Sequence, residues 1–163
     1  MKYTETKIVY REFPDEVTLA FNISGCPFAC PGCHTPKLQT DIGTELTKEN
    51  LIKEIDRHIN FITCIGFMGG DADVGYINSL CGEIAEHYKT IKKVKFGIYS
   101  GSPKLDDVIG DMSPMFDYVK VGPFVEKLGP IDSKTSNQKM YRRNPSKSHY
   151  EDITDRMRDK IFF

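Results

Sequence analysis

Short apolar runs alternate along this chain with stripes of apolar residues at helical spacing. β-Branched and aromatic residues are concentrated at 6–13 and at 16–23, and the turn signal Pro14-Asp15 separates the two runs. Runs of this kind are typical of strands, so we expect a short edge strand followed by a buried strand. The same features predict three more strands, at 64–68, 94–99 and 116–121.

Apolar residues spaced three and four apart predict helices between these strands. Thr47 is a suitable N-cap for the first helix, and Asp71 or Asp73 is suitable for the second, because these side chains accept hydrogen bonds from free backbone N–H groups. The predicted helices cover about 48–60, extend from the aspartates to about 88, and cover about 104–110.

Strand and helix alternate in the order expected for βαβ units with parallel strands and right-handed crossovers. A closed barrel of eight such units needs about 250 residues, and this chain has 163. We therefore expect an α/β fold, either a partial TIM-type barrel or a small open sheet. One domain is expected over residues 1–163, with a weakly patterned tail from about 125 whose end, 152–163, forms a helix or packs as a strap.

The composition narrows the classes of partner. The chain has 22 basic and 23 acidic residues and a formal net charge of −1, so no overall field favours nucleic acid or an anionic membrane. No uninterrupted apolar run approaches the roughly 20 residues of a membrane-spanning helix, and no apolar signal core follows the polar N-terminus. We expect a cytoplasmic protein that binds neither nucleic acid nor membrane.

Three of the five cysteines lie within eight residues, as Cys26-x3-Cys30-x2-Cys33. Thiolates are the usual ligands of iron–sulfur clusters and of structural zinc, and structural zinc sites take four ligands. His34 could supply a fourth zinc ligand, but it adjoins Cys33, which makes it difficult for both side chains to reach one ion. The pattern therefore favours a four-iron cluster held by three thiolates, with one iron open to an external ligand.

Cys64 and Cys81 are the two cysteines outside this group. The first falls on a predicted strand and the second on the apolar stripe of a predicted helix. Free cysteine behaves as a small apolar residue at such positions. We expect both to be buried and neither to be a ligand.

Four segments of unusual composition each follow the end of a predicted strand. They are the cysteine group, Gly69-Gly70-Asp71, Ser100-Gly101 and Gly122-Pro123-Phe124. In parallel α/β proteins, ligands bind at the edge where the carboxyl ends of the strands meet. The four segments therefore predict one binding site.

The cysteine spacing after a first strand resembles that of the radical S-adenosylmethionine (SAM) enzymes, and this resemblance implies the radical SAM fold, a partial TIM-type barrel. It implies that Cys26, Cys30 and Cys33 hold a [4Fe-4S] cluster whose open iron is chelated by the amino and carboxylate groups of SAM. The segment 69–71 is similar to the Gly-Gly-Glu type motif whose backbone receives the SAM amino group. The SAM contacts implied in this chain are Gly32, His34, Gly69, Gly70, Asp71, Ser100, Gly101, Val121 and Gly122.

Further motifs resemble one group within this superfamily, the activating enzymes of anaerobic ribonucleoside-triphosphate reductase, over about residues 7–143. The matching segments are Cys-Pro-Gly-Cys-His at 30–34, Met-Gly-Gly-Asp at 68–71, Asp-Tyr-Val-Lys-Val-Gly-Pro-Phe at 117–124 and Thr-x-Asn-Gln-x-x-Tyr-Arg at 135–142. The resemblance implies that an electron donor such as flavodoxin or a thiol system reduces the cluster, and that SAM is cleaved to methionine and a 5′-deoxyadenosyl radical. This radical abstracts a hydrogen atom from a glycine near the C-terminus of the reductase, which is the implied protein partner.

Three positions depart from the patterns of these families. Gly32 stands where the superfamily has an aromatic residue before the third cysteine, so an aromatic contact to adenine would come from Phe28 or His34 instead. Asp71 replaces the more general Glu, which leaves the backbone of the two preceding glycines as the expected contact. Ser136 interrupts the Thr-Asn-Gln run of the activase group.

Two other functions stay open on the sequence alone. A compact radical SAM enzyme of the queuosine-precursor type would act on a small molecule, although a chain of 163 residues leaves little wall with which to enclose one. A non-catalytic zinc or iron–sulfur binding module would hold a fully ligated metal centre on which SAM has no effect. No general base is expected for radical chemistry, because hydrogen-atom abstraction needs none.

Overall fold

The computed structural model describes residues 1–146 and 149–159. This part of the chain forms eight strands and four α-helices, with a 3-10 turn at Pro36–Gln39. The strands are β1 (Lys2–Val9), β2 (Thr18–Ile23), β3 (Thr44–Glu45), β4 (Cys64–Met68), β5 (Lys95–Tyr99), β6 (Tyr118–Val121), β7 (Lys139–Asn144) and β8 (His149–Asp152). The helices are α1 (Lys48–Asp56), α2 (Val74–Tyr88), α3 (Leu105–Ile109) and α4 (Thr154–Arg158).

The strands of the described chain form one mixed sheet in the order β3-β1-β2-β4-β5-β6-β7-β8. Its four central strands, β2, β4, β5 and β6, are parallel. The outer strands pair in antiparallel fashion on both sides of this centre. The α/β class is therefore confirmed, and the predicted parallel strands form the centre of the sheet. Closure into a partial barrel stays a prediction.

The elements at the two ends of the sheet differ from the sequence prediction. β1 covers Lys2–Val9 instead of 6–13, because the residues after Val9 leave the sheet and carry Phe13 onto one of its faces. β7 and β8 form in the weakly patterned tail after residue 125, and they extend the sheet beyond β6. α4 confirms a helix in the predicted region 152–163, of which residues 160–163 lie outside the described chain.

Side chains cap the two longer helices. Thr47 Oγ1 accepts a hydrogen bond from the backbone N–H of Asn50 over 3.3 Å, and Asp73 Oδ1 accepts one from Tyr76 over 2.9 Å. Thr47 is thus confirmed as a cap, and Asp73 rather than Asp71 caps α2. No helix in the described residues is both long enough and apolar enough to cross a membrane.

The main apolar core lies between the sheet and the helices α1, α2 and α3, on what we call the outer face. Leu51 and Ile55 of α1 and the stripe of α2 are buried against alternate residues of the central strands. Cys81 belongs to this core, whereas Cys64 faces the opposite side of the sheet. Both thiols are fully buried, as predicted, and burial raises the pKa of each well above its ordinary value.

A second apolar cluster covers the other face, which we call the inner face, and includes Phe13. The centroid of the Phe13 ring lies 5.5 Å from that of Tyr99 and 5.4 Å from that of Tyr118. Both tyrosines also hold the loop that carries Phe13. Tyr99 Oη donates to the Glu12 carbonyl over 2.9 Å, and Tyr118 Oη donates to Glu16 Oε1 over 2.8 Å.

Phe13 reaches the backbone of the sheet because the strands beneath it carry glycine. Gly66 of β4 and Gly97 of β5 are paired in register, with Ala20 of β2 and Tyr118 of β6 beside them. A Cβ atom on Gly97 would lie 2.3 Å from Phe13 Cζ, and one on Gly66 would lie 2.8 Å from Phe13 Cε2. The ring therefore occupies the space that any side chain at these two positions would need.

We expect Gly97→Ala to lower the free energy of unfolding by about 1–3 kcal/mol, because the new methyl group would overlap the Phe13 ring. Gly82→Ala is the matched control, since Gly82 lies in α2 and an added Cβ there meets no atom within 4 Å. The control is expected to gain about 0.5–1 kcal/mol. Urea unfolding of both variants measures the difference, and equal stability would contradict the packing described here.

Candidate functional site

Four residues at the carboxyl ends of the parallel strands form the floor of a cavity. Asn22 pairs in register with Met68, Met68 with Tyr99, and Tyr99 with Lys120. Successive side chains of a strand point to opposite faces, so these four residues share the inner face with the row that lies two residues earlier. That row consists of Ala20, Gly66, Gly97 and Tyr118, and we call it the glycine row. Phe13 fills the space over that earlier row, and the space over the last row is a cavity of about 320 Å³.

Two loops form the walls of this cavity. The loop after β2 contributes Cys26, Cys33 and His34, and the loop after β6 contributes Phe124 and Ile131. The rings of His34 and Phe124 lie 4.7 Å apart between centroids, so the two loops touch. The predicted site residues that line the cavity are Cys26, Cys33, His34, Gly69, Asp71, Ser100 and Gly101.

Backbone hydrogen bonds hold the cysteine loop in a folded shape. The N–H of Cys26 donates to the Leu38 carbonyl over 2.9 Å, and the N–H of Cys33 donates to the Cys30 carbonyl over 3.1 Å. Gly32 has a φ of +74°, a conformation that favours glycine and turns the chain between the last two cysteines. All three thiols are free and half-buried.

Burial raises the pKa of the Cys26 thiol above its ordinary value. A hydrogen bond from the backbone of Phe28 to the sulfur lowers this pKa, and the negative charges of Asp71, Cys30 and Cys33 raise it further. These charges reach Cys26 because the cysteine loop and the end of β4 lie side by side. A cationic metal centre at this point would offset the repulsion among the thiolates.

Asp71 ties together the ends of β4 and β5. Its carboxylate accepts a short hydrogen bond from the Ser100 hydroxyl and another, 3.1 Å long, from the N–H of Gly101. Ser100 Oγ in turn accepts a hydrogen bond from the N–H of Ser102 over 3.0 Å. Asp71 and Ser100 therefore shape the cavity wall through bonds to each other, while their assignment as SAM contacts stays a prediction.

The other predicted SAM contacts do not line the cavity. A Cβ on Gly70 would lie 2.1 Å from Ile77 Cδ1, so this glycine allows the chain to pack closely on α2. Val121 is buried in the main core on the outer face. Gly32 lies against the side chain of Glu126, 3.3 Å from where its Cβ would be, and Gly122 lies against Gln138. A contact from any of these positions to a ligand would involve backbone atoms.

Phe28 and His34 were the two candidates for an aromatic contact. A Cβ on Gly101 would lie 2.6 Å from Phe28 Cδ2, so the Phe28 ring covers the backbone of Gly101. His34 is exposed at the cavity beside Phe124. Of the two rings, His34 is the one that lines the cavity.

Lys120 and Gln138 line the cavity and were not among the predicted site residues. Lys120 Nζ donates to the Gly122 carbonyl over 3.0 Å and lies 5.4 Å from the centroid of the Tyr99 ring. Gln138 Nε2 donates to the same carbonyl over 3.2 Å. The sequence signal for Lys120 was a lysine inside an otherwise apolar strand. Charged residues are rarely buried unless they are paired, so such a lysine indicates a functional site.

Burial lowers the pKa of Lys120 to about 8, and the negative charges of Asp71 and Cys30 oppose this change. The side chain is 7% exposed. At neutral pH the ammonium is therefore mostly protonated, inside a cavity that also holds thiols and a carboxylate.

Comparison with protein families identifies the class. The profile of the radical SAM superfamily matches residues 23–162 of this chain. The chain belongs to the radical SAM superfamily, whose members use a [4Fe-4S] cluster and SAM. No curated protein and no solved structure matches it.

The residues beside the cavity are of the kinds that these cofactors need. Each thiolate of a cluster binds its own iron, so three free thiols on one loop suffice without converging on a single ion. Within residues 1–146 and 149–159, no three His, Cys, Asp or Glu side chains group closely enough to hold one metal ion. The cavity volume also lies within the range of small-molecule sites, about 300–1,000 Å³, and it has polar and apolar walls.

A pH titration of stability tests the burial of Lys120. In the cluster-free protein, the stability of the wild type relative to Lys120→Met should rise by about 3 kcal/mol as the pH increases from about 8 to 10.5. In this range the unfolded chain binds more protons than the folded one, so stability increases with pH. Below pH 8 the difference should be constant. Urea unfolding at several pH values measures it, and parallel curves for the two proteins would contradict a buried ammonium.

Proposed function

We propose that this protein is the activating enzyme of an anaerobic ribonucleoside-triphosphate reductase and generates a glycyl radical on that partner. The observation that carries the proposal is where the activase-like segments lie. Each of the four contributes to the cavity, through His34, Asp71, Lys120 and Gln138. Segments that are far apart in the sequence thus form one site, and this supports their reading as a functional set.

The three cysteines of the loop after β2 would hold the cluster, and the cavity beside them would hold SAM. When bound, these cofactors would supply a 5′-deoxyadenosyl radical and methionine from SAM and one external electron, and the radical would take a hydrogen atom from glycine. The cofactors carry this chemistry, and the protein contributes orientation and protection from side reactions.

The chain orients a ligand mainly through rigid strand ends. The bonds from Asp71 to Ser100 and Gly101 fix the wall between β4 and β5. The bonds from Lys120 and Gln138 to the Gly122 carbonyl fix the wall between β6 and β7. A site held in this way needs little rearrangement to position a ligand.

Apolar side chains reduce the access of water to this site. They are Ile23, Leu38, Met68, Phe124, Pro130 and Ile131, which lie among the polar groups of the cavity wall. A reactive radical would attack many groups, so exclusion of water and competing donors is a requirement for selective chemistry.

The loops on the rim leave the cavity accessible to a protein partner. Most residues at 25–43 and 123–137 are exposed or half-buried, and no further domain of the described chain covers them. A glycine near the end of another polypeptide is a substrate that reaches such an open site as an extended segment. This openness favours a protein substrate.

The ligand assignment predicts which cysteines are required. Alanine substitution of Cys26, Cys30 or Cys33 should each abolish cluster assembly after anaerobic reconstitution, because each removes one of three thiolate ligands. Cys64→Ala is the control, since its thiol is buried on the inner face away from the loop. Iron and sulfide per chain are measured, and loss of the cluster in Cys64→Ala would contradict the assignment.

The partner assignment predicts a radical on a second protein. Incubation of the reconstituted protein with SAM, a reductant and the reductase of the same organism should give a glycyl radical signal in electron paramagnetic resonance. A reductase whose radical-forming glycine is replaced by alanine should give none. Cleavage of SAM without a radical on the intact reductase would reject this partner and favour a small-molecule substrate.

A further inference from the structure

Lys120 is a buried cation whose described partners are neutral. Its ammonium contacts the Gly122 carbonyl and the face of the Tyr99 ring, and no carboxylate in residues 1–146 or 149–159 forms an ion pair with it. Burial of a charge without an opposite charge is unfavourable. A neutral side chain of similar size would remove this cost. An anion that binds in the cavity would offset the cost and explain why a lysine stands at this position.

No carboxylate of the described residues pairs directly with this charge. Asp71 attracts the ammonium electrostatically without an ion pair, and its two carboxylate oxygens accept hydrogen bonds from Ser100 and Gly101 instead. The cysteines of the loop become negative when they bind metal as thiolates, and Cys30 in this ionised form acts on Lys120. Lys120 also lines the same cavity as Cys26 and Cys33, so the ammonium lies beside the place where the cluster would be held.

A bound cluster is itself an anion. Three thiolates outweigh the positive charge of an oxidised four-iron core, so the assembly carries a net negative charge, and reduction by one electron adds another. A nearby fixed cation stabilises the more negative state. Charge and hydrogen bonds around a cluster are among the features that set its reduction potential.

We infer that Lys120 is the counter-cation of the cluster held by Cys26, Cys30 and Cys33, and that its charge raises the reduction potential of this cluster. Tyr99 and the Gly122 carbonyl hold the ammonium in the cavity without neutralising it. The role rests on the cluster of the proposed function and is independent of the protein partner. Lys120 would thus change the reduction potential of the cluster without being one of its ligands.

An anaerobic redox titration without SAM tests the inference. Lys120→Gln removes the charge while its amide can still donate to the Gly122 carbonyl, and Lys120→Arg keeps the charge. The equilibrium constant for one-electron reduction should fall about tenfold in Lys120→Gln, a shift of ~59 mV to lower potential. Lys120→Arg should stay close to the wild type. Lys53→Gln, which removes an exposed lysine from α1, should have no effect.

Each outcome decides a separate point. An unchanged potential in Lys120→Gln with a full cluster would overturn the inference. A loss of SAM affinity in the same variant would then make Lys120 a ligand contact. If Lys120→Gln and Lys120→Met fold but load no cluster while Lys120→Arg loads one, the charge is required and the counter-cation role is supported. If none of the three variants loads a cluster, Lys120→Arg included, then the site requires the shape of the lysine side chain and not its charge. This result would overturn the inference. A wild type that loads no cluster would instead reject the proposed function.

Discussion

The parallel register of β2, β4, β5 and β6 determines which side chains reach the cavity. It places Asn22, Met68, Tyr99 and Lys120 in one row and the glycine row beneath them. Because side chains alternate along a strand, a slip of one residue in β6 would bring Val121 to the inner face and bury Lys120 among the helices. The loops that carry the cysteines and glycines meet at one edge for the same reason.

The sequence predicted the elements and the edge of this site better than the directions of its side chains. Local signals were sufficient for the central strands, the cap at Thr47 and the position of the cysteine loop, and they left Asp71 and Asp73 as alternative caps of α2, of which the structure shows Asp73. Which of Val121 and Lys120 lines the cavity depends on the facing of β6, and this facing is set by pairing with distant strands. Gly70 likewise resembles a ligand-binding residue in sequence, whereas its place in the fold is set by contact with Ile77.

Non-local contacts also explain the elements that the sequence did not predict. β7 and β8 are rich in polar residues, and they are ordered as strands by the pairing of β7 with β6 and of β8 with β7. β1 ends at Val9 because Phe13, four residues later, packs on the glycine row. Tyr99 connects this packing to the site, because its hydroxyl holds the Phe13 loop while its ring lies beneath Lys120. Burial raises the Tyr99 pKa well above its ordinary value, so the phenol stays neutral.

The central proposal is that the cavity beside the cysteine loop would hold a cluster and SAM together. The most direct test is the reductive cleavage of SAM by the anaerobically reconstituted protein with a strong reductant, followed by chromatography of the products. The account predicts 5′-deoxyadenosine and methionine in equal amounts, with no cleavage when the cluster is omitted. Intact SAM after incubation with a fully loaded and reduced cluster would contradict it.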